Sequence, residues 1–402
     1  PCTDRRSGPA TATRSPTADL SAPTAAGRPR RRTVRLSAVE TPTIEDMRHR
    51  PLVPLPPQPD GVPWPTEEWP RAEPPAAVAG RLAELVDEIT TDTARYGTTY
   101  AVGVVHRGRL LVERYGGELE HWDRPDEPVT PDTRLLSWSM AKSILHAVVG
   151  ILVGEGRLSL TDPAPVPEWS DPDDPRHAIT LEHLLTMRDG LDFSEVYDDS
   201  GVSHVIEMLF GEGRADMAAY AAARPLAHPP DTVFNYSSGT SNIVSGIVAR
   251  VVGPGEPYRR FLHDRLFGPL GMRSADPRLD DAGTFAASSY VYATARDYLR
   301  FGLLYLRDGV WEGRRLLPEG WVDHARRIRS YDPDEDRWYG AHWWSVGDEL
   351  GTFWASGYEG QSLMLCPPLD LVVVRLGRSP EEHHNPNLKA WRAAVVEAFR
   401  HA

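Results

Sequence analysis

The chain carries its β-rich runs at its two ends and its helices between them. Near the start of the folded body, "YAVGVVHRGRLLVERYGG" sets two β-rich runs on either side of His106-Arg107-Gly108, the pattern of a hairpin. Near the end, "GTFWASGY", "QSLMLC" and "LDLVVVRLG" are three more short β-rich runs joined by tight turns. From Ser139 to about residue 275 the texture is mostly helical, as in "AKSILHAVVGILVGEG" and "SNIVSGIVARVVG", the latter stopped by Gly253 and Pro254. Amphipathic helices bracket the body. In "AAVAGRLAELVDEIT" the residues Val78, Leu82, Leu85, Val86 and Ile89 fall on one face, "ARDYLRFGLLYLRDG" is a second such helix, and "NLKAWRAAVVEAFRHA" closes the chain. This order predicts an α/β fold in which one antiparallel sheet, flanked by N- and C-terminal helices, carries a mostly helical lobe. The α/β part takes residues 71–138 and 280–402 and the lobe takes 139–279, with the active cleft between them.

Residues 1–70 have a different texture. "SGPATATRSPTADLSAPTAAGRPRRR" lacks a hydrophobic period, and "PLVPLPPQPDGVPWP" reads as a polyproline-like segment, so a disordered Pro/Ala/Arg-rich arm is expected over 1–70. The basic run Arg28 to Arg35 is read as part of that solvated tail or as a site for an acidic partner, and Val53, Leu55 and Trp64 as contacts that let the Pro-rich part lie along the domain. Over the 402 residues, 41% hydrophobic and 25% charged is the balance of a globular protein with a sizeable core. A formal net charge of −13 argues against nucleic acid or an anionic membrane as the main partner. No apolar run is long enough to span a bilayer, and no secretory core is visible, so a cytoplasmic location is expected. Cys2 and Cys366 make an implausible disulfide, and His383–His384 after Glu381–Glu382 reads as a solvated turn, so no metal site is expected.

One residue choice points to chemistry. Of the 44 lysines and arginines only Lys142 and Lys389 are lysines. Arginine stays protonated in any protein environment, whereas a crowded lysine can become a base. Lys142 stands three residues after Ser139 in "SWSMAKS", which on a helix puts both side chains on one face. With Ser139 at the first turn, the helix N-terminus offers N–H groups to an oxyanion and disfavours a second positive charge, which pushes Lys142 towards its neutral form. Neutral lysine takes the proton of a serine hydroxyl that is a poor nucleophile unaided. A nucleophile elbow would need Gly-x-Ser-x-Gly, and Ser241 and Ser362 each have only the first glycine.

"SMAKS", "YSSGTSNIVSGIVARVVG" and "WASGYEGQ", in that order, resemble the serine β-lactamase-like hydrolases: class C β-lactamases, penicillin-binding proteins, related carboxylesterases and 6-aminohexanoate-dimer hydrolases. The likeness runs from about residue 75 to the C-terminus and implies the β-lactamase/transpeptidase-like fold. Within it, "GLDFSEVYDD" and "SGYEGQSLML" are most similar to the 6-aminohexanoate-dimer hydrolases. The resemblance implies Ser139 as nucleophile, Lys142 as its base and Tyr236 as the proton shuttle to the leaving group. It implies an oxyanion hole from the backbone N–H groups of Ser139 and Tyr358. Substrate contacts are implied for Ser356, Gly357 and Tyr197, the last of which also fits an ordinary loop tyrosine. A lysine beside Tyr236 is expected to lower its pKa. Glu195, Asp198 and Asp199 read as a solvated acidic loop or as an attractor of an amine.

The third motif departs from the family. Ala355-Ser356-Gly357 stands where β-lactamases have Lys-Thr-Gly, and Tyr236-Ser237-Ser238 where they have Tyr-x-Asn. Losing the lysine removes a charge-assisted hydrogen bond of roughly 1.5–3 kcal/mol to a β-lactam carboxylate, so efficient penicillin hydrolysis is not expected. The resemblance implies hydrolysis of small-molecule amides or esters through an acyl-enzyme without a cofactor. An acyltransferase on the same site, a carboxylesterase, and a non-catalytic ligand sensor on the same fold remain as alternatives.

Overall fold

The computed structural model describes residues 43–120, 125–197, 203–333, 335–379 and 385–400, all within the unit Pro42–Ala402. Strands β1 (Thr98–His106) and β2 (Arg109–Tyr115) form the expected hairpin. Its turn places Arg107 at φ 50° and Gly108 at φ 72°, the pair of positive φ values that a two-residue turn between twisted strands requires. Three strands follow far downstream, β3 (Ser330–Asp332), β4 (Arg337–Tyr339) and β5 (Trp344–Ser345). The three C-terminal runs become β6 (Phe353–Gly357), β7 (Gln361–Cys366) and β8 (Leu371–Arg378). All eight make one sheet in the order β3-β4-β5-β6-β7-β8-β1-β2, and every neighbouring pair is antiparallel.

Alternation along the strands splits the core into two layers. Val102, Val104, Met364, Leu371 and Val373 face helices α2 (Ala76–Thr91) and α8 (Pro386–Phe399). Helix α2 buries the five-residue stripe read from its period, and Trp391 Nε1 of α8 donates to the Leu85 carbonyl at 2.9 Å. Ala101, Val105, Leu363, Leu365, Val372 and Val374 face the opposite layer. That layer is built on α3 (Met140–Gly154), α5 (Ser238–Val252) and α6 (Ala295–Leu306), supported by the short α4 (Leu181–Leu185) and α7 (Trp321–Arg326). Every side chain from Met140 to Leu152 is buried. A helix apolar almost all round sits at the centre of a domain, and α3 does. Cys366 is a buried free thiol.

The arm expected over 1–70 divides. Residues 1–42, with the basic run and Cys2, lie outside the described residues, as do Glu381 to His384. Residues 43–70 are ordered chain on the body, not disordered arm. Thr43 and Asp46 close a capping box on α1 (Ile44–His49). The Pro-rich stretch then runs along the α6 side, where body arginines reach its carbonyls: Arg300 Nε donates to Pro65 O at 2.7 Å and Arg307 Nη1 to Pro56 O at 3.3 Å. Proline has no N–H to satisfy and is already extended. Such a stretch docks once its carbonyls find donors and its apolar side chains find a core, here through Leu55, Trp64 and Trp69.

Candidate active site

Ser139 stands at the N-cap of α3 in a helical conformation, and its hydroxyl makes no capping bond. The residue before it, Trp138, is held at φ 44°. Backbone strain in this region costs about 1–3 kcal/mol and persists only where the surroundings impose it. Here Ser137 imposes it. Its N–H donates to the Val291 carbonyl at 2.8 Å, and its hydroxyl accepts from Val291 N at 3.0 Å and donates to Ser289 O at 3.1 Å. The Trp138 ring stands edge-on to Tyr358, with centroids 5.3 Å apart.

Lys142 lies one turn on and is only 2% exposed. Its Nζ is 3.0 Å from Ser139 Oγ, 3.1 Å from Ser238 Oγ and 3.0 Å from the Ser288 carbonyl oxygen. It makes no ion pair among the described residues. Burial pulls its pKa down to about 8, while the Glu195 carboxylate pulls the other way. Loss of water is thus the main cause of the shift, rather than the helix N-terminus inferred from sequence.

Glu195 is not a solvated loop carboxylate. It accepts from Ser238 N at 2.8 Å, from Ser238 Oγ at 2.6 Å and from the Tyr197 hydroxyl at 2.7 Å. Ser238 opens α5, so the carboxylate also sits at that helix's positive end. These contacts fix the hydrogens around Lys142. A carboxylate only accepts, so the Ser238 proton points at Glu195 and the Ser238 oxygen must accept from Lys142. The Ser288 carbonyl also only accepts. A neutral amine has two hydrogens, both then engaged, and its lone pair is left facing Ser139 Oγ. Asp198 and Asp199 lie outside the described residues.

Tyr236 lies two residues before α5, with its ring centroid 4.8 Å from Lys142 Nζ, and lines the same cavity as Ser139. Trp344 and Tyr339 wall it in, at 5.3 and 6.0 Å between centroids. Burial, reinforced by the negative Glu195, pushes its pKa well above the usual phenol value. The lowering expected from a neighbouring cation is reversed, and the phenol keeps its proton.

Strand β6 closes the far side. A Cβ on Gly357 would come 2.4 Å from the Ser137 carbonyl oxygen and 3.1 Å from Trp138 Cβ, so only glycine lets the strand end seat against the turn that precedes Ser139. Ala355, at the place of the family's lysine, is buried in the core. Ser139, Tyr197, Tyr236, Ser356, Gly357 and Tyr358 all line one cavity of about 1270 Å³, and the Tyr197 and Tyr358 rings meet across it at 5.4 Å. The structure therefore brings together Ser139, Lys142, Tyr236, Tyr197, Ser356, Gly357 and Tyr358, the residues to which the resemblance gives a role. Among the described residues no cluster of His, Cys, Asp or Glu is placed to hold a metal. No helix among them is long and apolar enough to cross a membrane.

Two neighbours of the site, Ser238 and Glu195, carry no motif of their own. Ser238 was noted only as the absence of an asparagine. Glu195 reads from the sequence as part of a solvated loop or as an attractor of an amine, and its place two residues before Tyr197 is the available signal for its position beside Ser238.

An antiparallel sheet with terminal helices on one face, a helical lobe on the other, and a Ser-x-x-Lys helix opening between them is the serine β-lactamase and penicillin-binding-protein class of fold. The model of the Beta-lactamase family matches residues 82–398, and the chain belongs to that family. It is 29% identical over 346 residues to the 6-aminohexanoate-dimer hydrolase of Paenarthrobacter ureafaciens, covering 78% of this chain and 79% of that one. Among solved structures it resembles a Bacillus anthracis protein proposed to be a 6-aminohexanoate-dimer hydrolase, with TM-score 0.68, 20% identity, and 89% and 94% of the two chains covered. It also resembles a family VIII carboxylesterase, with TM-score 0.65, 14% identity, and 82% and 99% covered. The fold is shared with these proteins.

Proposed function

We propose that the protein is a serine hydrolase that cleaves amide or ester bonds of small molecules through an acyl-enzyme on Ser139. The observation that carries this reading is a buried lysine without an ion pair, 3.0 Å from a serine hydroxyl, whose other two contacts are acceptors. Ser139 Oγ attacks the substrate carbonyl carbon as its proton passes to Lys142 Nζ. The backbone N–H groups of Ser139 and Tyr358 receive the oxyanion, a role supported by the seating of Gly357 against Ser137. Tyr236, protonated at neutral pH, gives its proton to the leaving nitrogen or oxygen as the carbonyl re-forms, and the proton held by Lys142 restores the phenol. Water then attacks the acyl carbon, and the same groups work in reverse to release the acid and Ser139.

Small linear amides or esters are the favoured substrates. The 29%-identical relative that acts on a 6-aminohexanoate dimer supports the amide. The buried Ala355 in place of a carboxylate-binding lysine weighs against penicillins. The test is intact mass spectrometry after exposure to a fluorophosphonate and to a panel of esters, amides and penicillin. A single adduct that disappears in Ser139→Ala is the expected result. An adduct that persists in that variant would refute the assignment.

A further inference from the structure

Both backbone donors assigned above to the oxyanion stand next to a non-glycine residue with positive φ. Trp138, before Ser139, is at φ 44°, and Glu359, after Tyr358, is at φ 59°. The hydrogen bonds of Ser137 impose the first. The second lies in the turn Tyr358–Gly360, which joins β6 to β7. The groups that impose it come from β7, β8 and the residue after β8.

Arg375 is the first of them. It is 1% exposed and is the only charged residue of β8 before Arg378 at the strand's end. A buried guanidinium is unfavourable unless its donors are used, and an apolar residue would suit a strand interior better. No carboxylate pairs with it among the described residues. Its donors go to neutral oxygens: Nε to Thr99 Oγ1 at 3.2 Å, Nη2 to the Tyr96 and Thr98 carbonyls at 3.1 and 3.2 Å, and Nη1 to the Glu359 carbonyl at 2.8 Å. The Ser379 N–H donates to the same Glu359 oxygen at 3.1 Å. Two glycines make room for the guanidinium. A Cβ on Gly377 would come 2.7 Å from Nη2, and one on Gly360 would come 2.9 Å from Nη1.

Gln361, the last residue of "WASGYEGQ", is 4% exposed and holds the neighbouring carbonyl of the turn. Its Nε2 donates to the Tyr358 carbonyl at 3.0 Å and to the Gly377 carbonyl at 2.5 Å, and its Oε1 accepts from Gly377 N at 2.9 Å. The ladder between β7 and β8 ends at the pair Ser362 and Arg375. Beyond it the Gln361 amide takes the place of the missing rung and satisfies both polar groups of Gly377. The carbonyls of Tyr358 and Glu359 are thus both pinned to the sheet, while Gly357 is seated against Ser137 on the other side of the Tyr358 N–H.

We propose that Gln361 and Arg375 are positioning residues of the oxyanion hole, which act through the Tyr358–Gly360 turn to keep the Tyr358 N–H where negative charge develops as Ser139 attacks. The inference rests on the serine-hydrolase reading. A donor fixed in advance needs no reorganisation during the reaction and favours the transition state over the bound substrate. Loosening the turn therefore lowers kcat and spares KM.

The test uses Gln361→Glu, which keeps the acceptor for Gly377 N and removes the Nε2 donor, with Arg375→Met and Arg375→Lys. On a p-nitrophenyl ester, Gln361→Glu and Arg375→Met are expected to lower kcat at least about tenfold with KM within about twofold, a part of the roughly 10²–10³ that a whole donor supplies. Arg375→Lys should show a smaller loss in the same constant. A trifluoromethyl ketone, which adds to Ser139 and places its oxygen in the hole, should lose affinity by the same factor as kcat/KM. The methyl ketone of the same chain, which does not add, should bind as it does to the wild type. Thermal melts followed by circular dichroism check the fold, and where Arg375→Met does not fold, Arg375→Lys and Gln361→Glu decide on the same readouts. Equal losses for the two ketones, a loss carried by KM, or an unchanged kcat overturns the proposal. A wild type that neither turns over an ester nor forms the fluorophosphonate adduct refutes the serine-hydrolase reading and this proposal with it, whereas an active wild type whose variants keep kcat refutes this proposal alone.

Discussion

Replacing Glu195 by glutamine should move the pH profile of the enzyme to lower pH. Lys142 must be neutral to accept the Ser139 proton, and its pKa is held at about 8. At pH 7 roughly one lysine in ten is then neutral, against about one in 2500 for an ordinary lysine, so burial supplies on the order of 200-fold more base. The plot of log kcat/KM against pH should therefore rise with a slope of one and level off above about 8, reporting the lysine of the free enzyme. Glu195 works against that gain, since its negative charge stabilises the protonated lysine. Removing the charge lowers the lysine pKa, so the rising limb of Glu195→Gln must lie below that of the wild type, and the ratio of rates at pH 6 and pH 9 must increase. The glutamine oxygen keeps an acceptor for Ser238 but loses the Oε2 contact to the α5 N-terminus, so the plateau should be lower. Ser238→Ala is the companion variant. It keeps the carboxylate and removes the acceptor that orients the amine, so its plateau should drop without a downward shift of the limb. The assay is stopped-flow hydrolysis of a p-nitrophenyl ester from pH 5.5 to 10 (about one buffer per half unit). A limb that stays in place or rises in Glu195→Gln would refute the electrostatic argument, and the absence of any limb near 8 would refute Lys142 as the base.

Lys142→Arg should keep the charge and the fold and lose acylation by about 10²–10⁴-fold, read as the rate of adduct formation by mass spectrometry beside an unchanged circular dichroism spectrum. Tyr236→Phe should spare p-nitrophenyl esters, whose leaving group needs no proton, and slow amides by about 10²–10⁴-fold; equal losses on both would remove the tyrosine from the leaving-group step. Gly357→Ala puts a methyl group 2.4 Å from the Ser137 carbonyl and should cost about 10²–10³ in turnover by shifting an oxyanion donor. Leu145→Ala, at a fully buried position of α3, should lower stability by about 2–5 kcal/mol in urea denaturation.

The parts legible in the sequence are those set by local pattern. The stripe on α2, the hairpin at Arg107-Gly108 and the three C-terminal strands follow from periods of 3.6 and 2 that need no knowledge of partners. The Ser139–Lys142 pair was legible because one helical turn joins its members. What escaped depends on chain brought from elsewhere. Glu195 meets Ser238 across 43 residues, and only that meeting makes it part of the site. The direction of the Tyr236 shift escapes a sequence reading because burial, reinforced by the Glu195 charge brought in from another segment, outweighs the neighbouring cation. Strands β3 to β5 are two or three residues long, too short for alternation to register, and their aromatic residues were the only hint. Composition marks residues 43–70 as disordered, yet Leu55 and Trp64 dock as their apolar character suggests, and proline-rich composition hides how well a pre-extended chain seats on arginine donors.

In the sheet, β1 lies between β2 and β8, and its pairing with β8 joins Thr98 to Arg378 and His106 to Leu371. During synthesis the first hairpin, complete at Tyr115, therefore leaves the ribosome with one apolar edge bare and waits for well over half of the chain before its neighbour begins at Leu371. Closing so long a loop is entropically slow, and an uncovered edge strand invites pairing with other chains. Messages truncated before Leu371 should yield insoluble product, while nascent chains carrying Arg378 should begin to resist proteolysis.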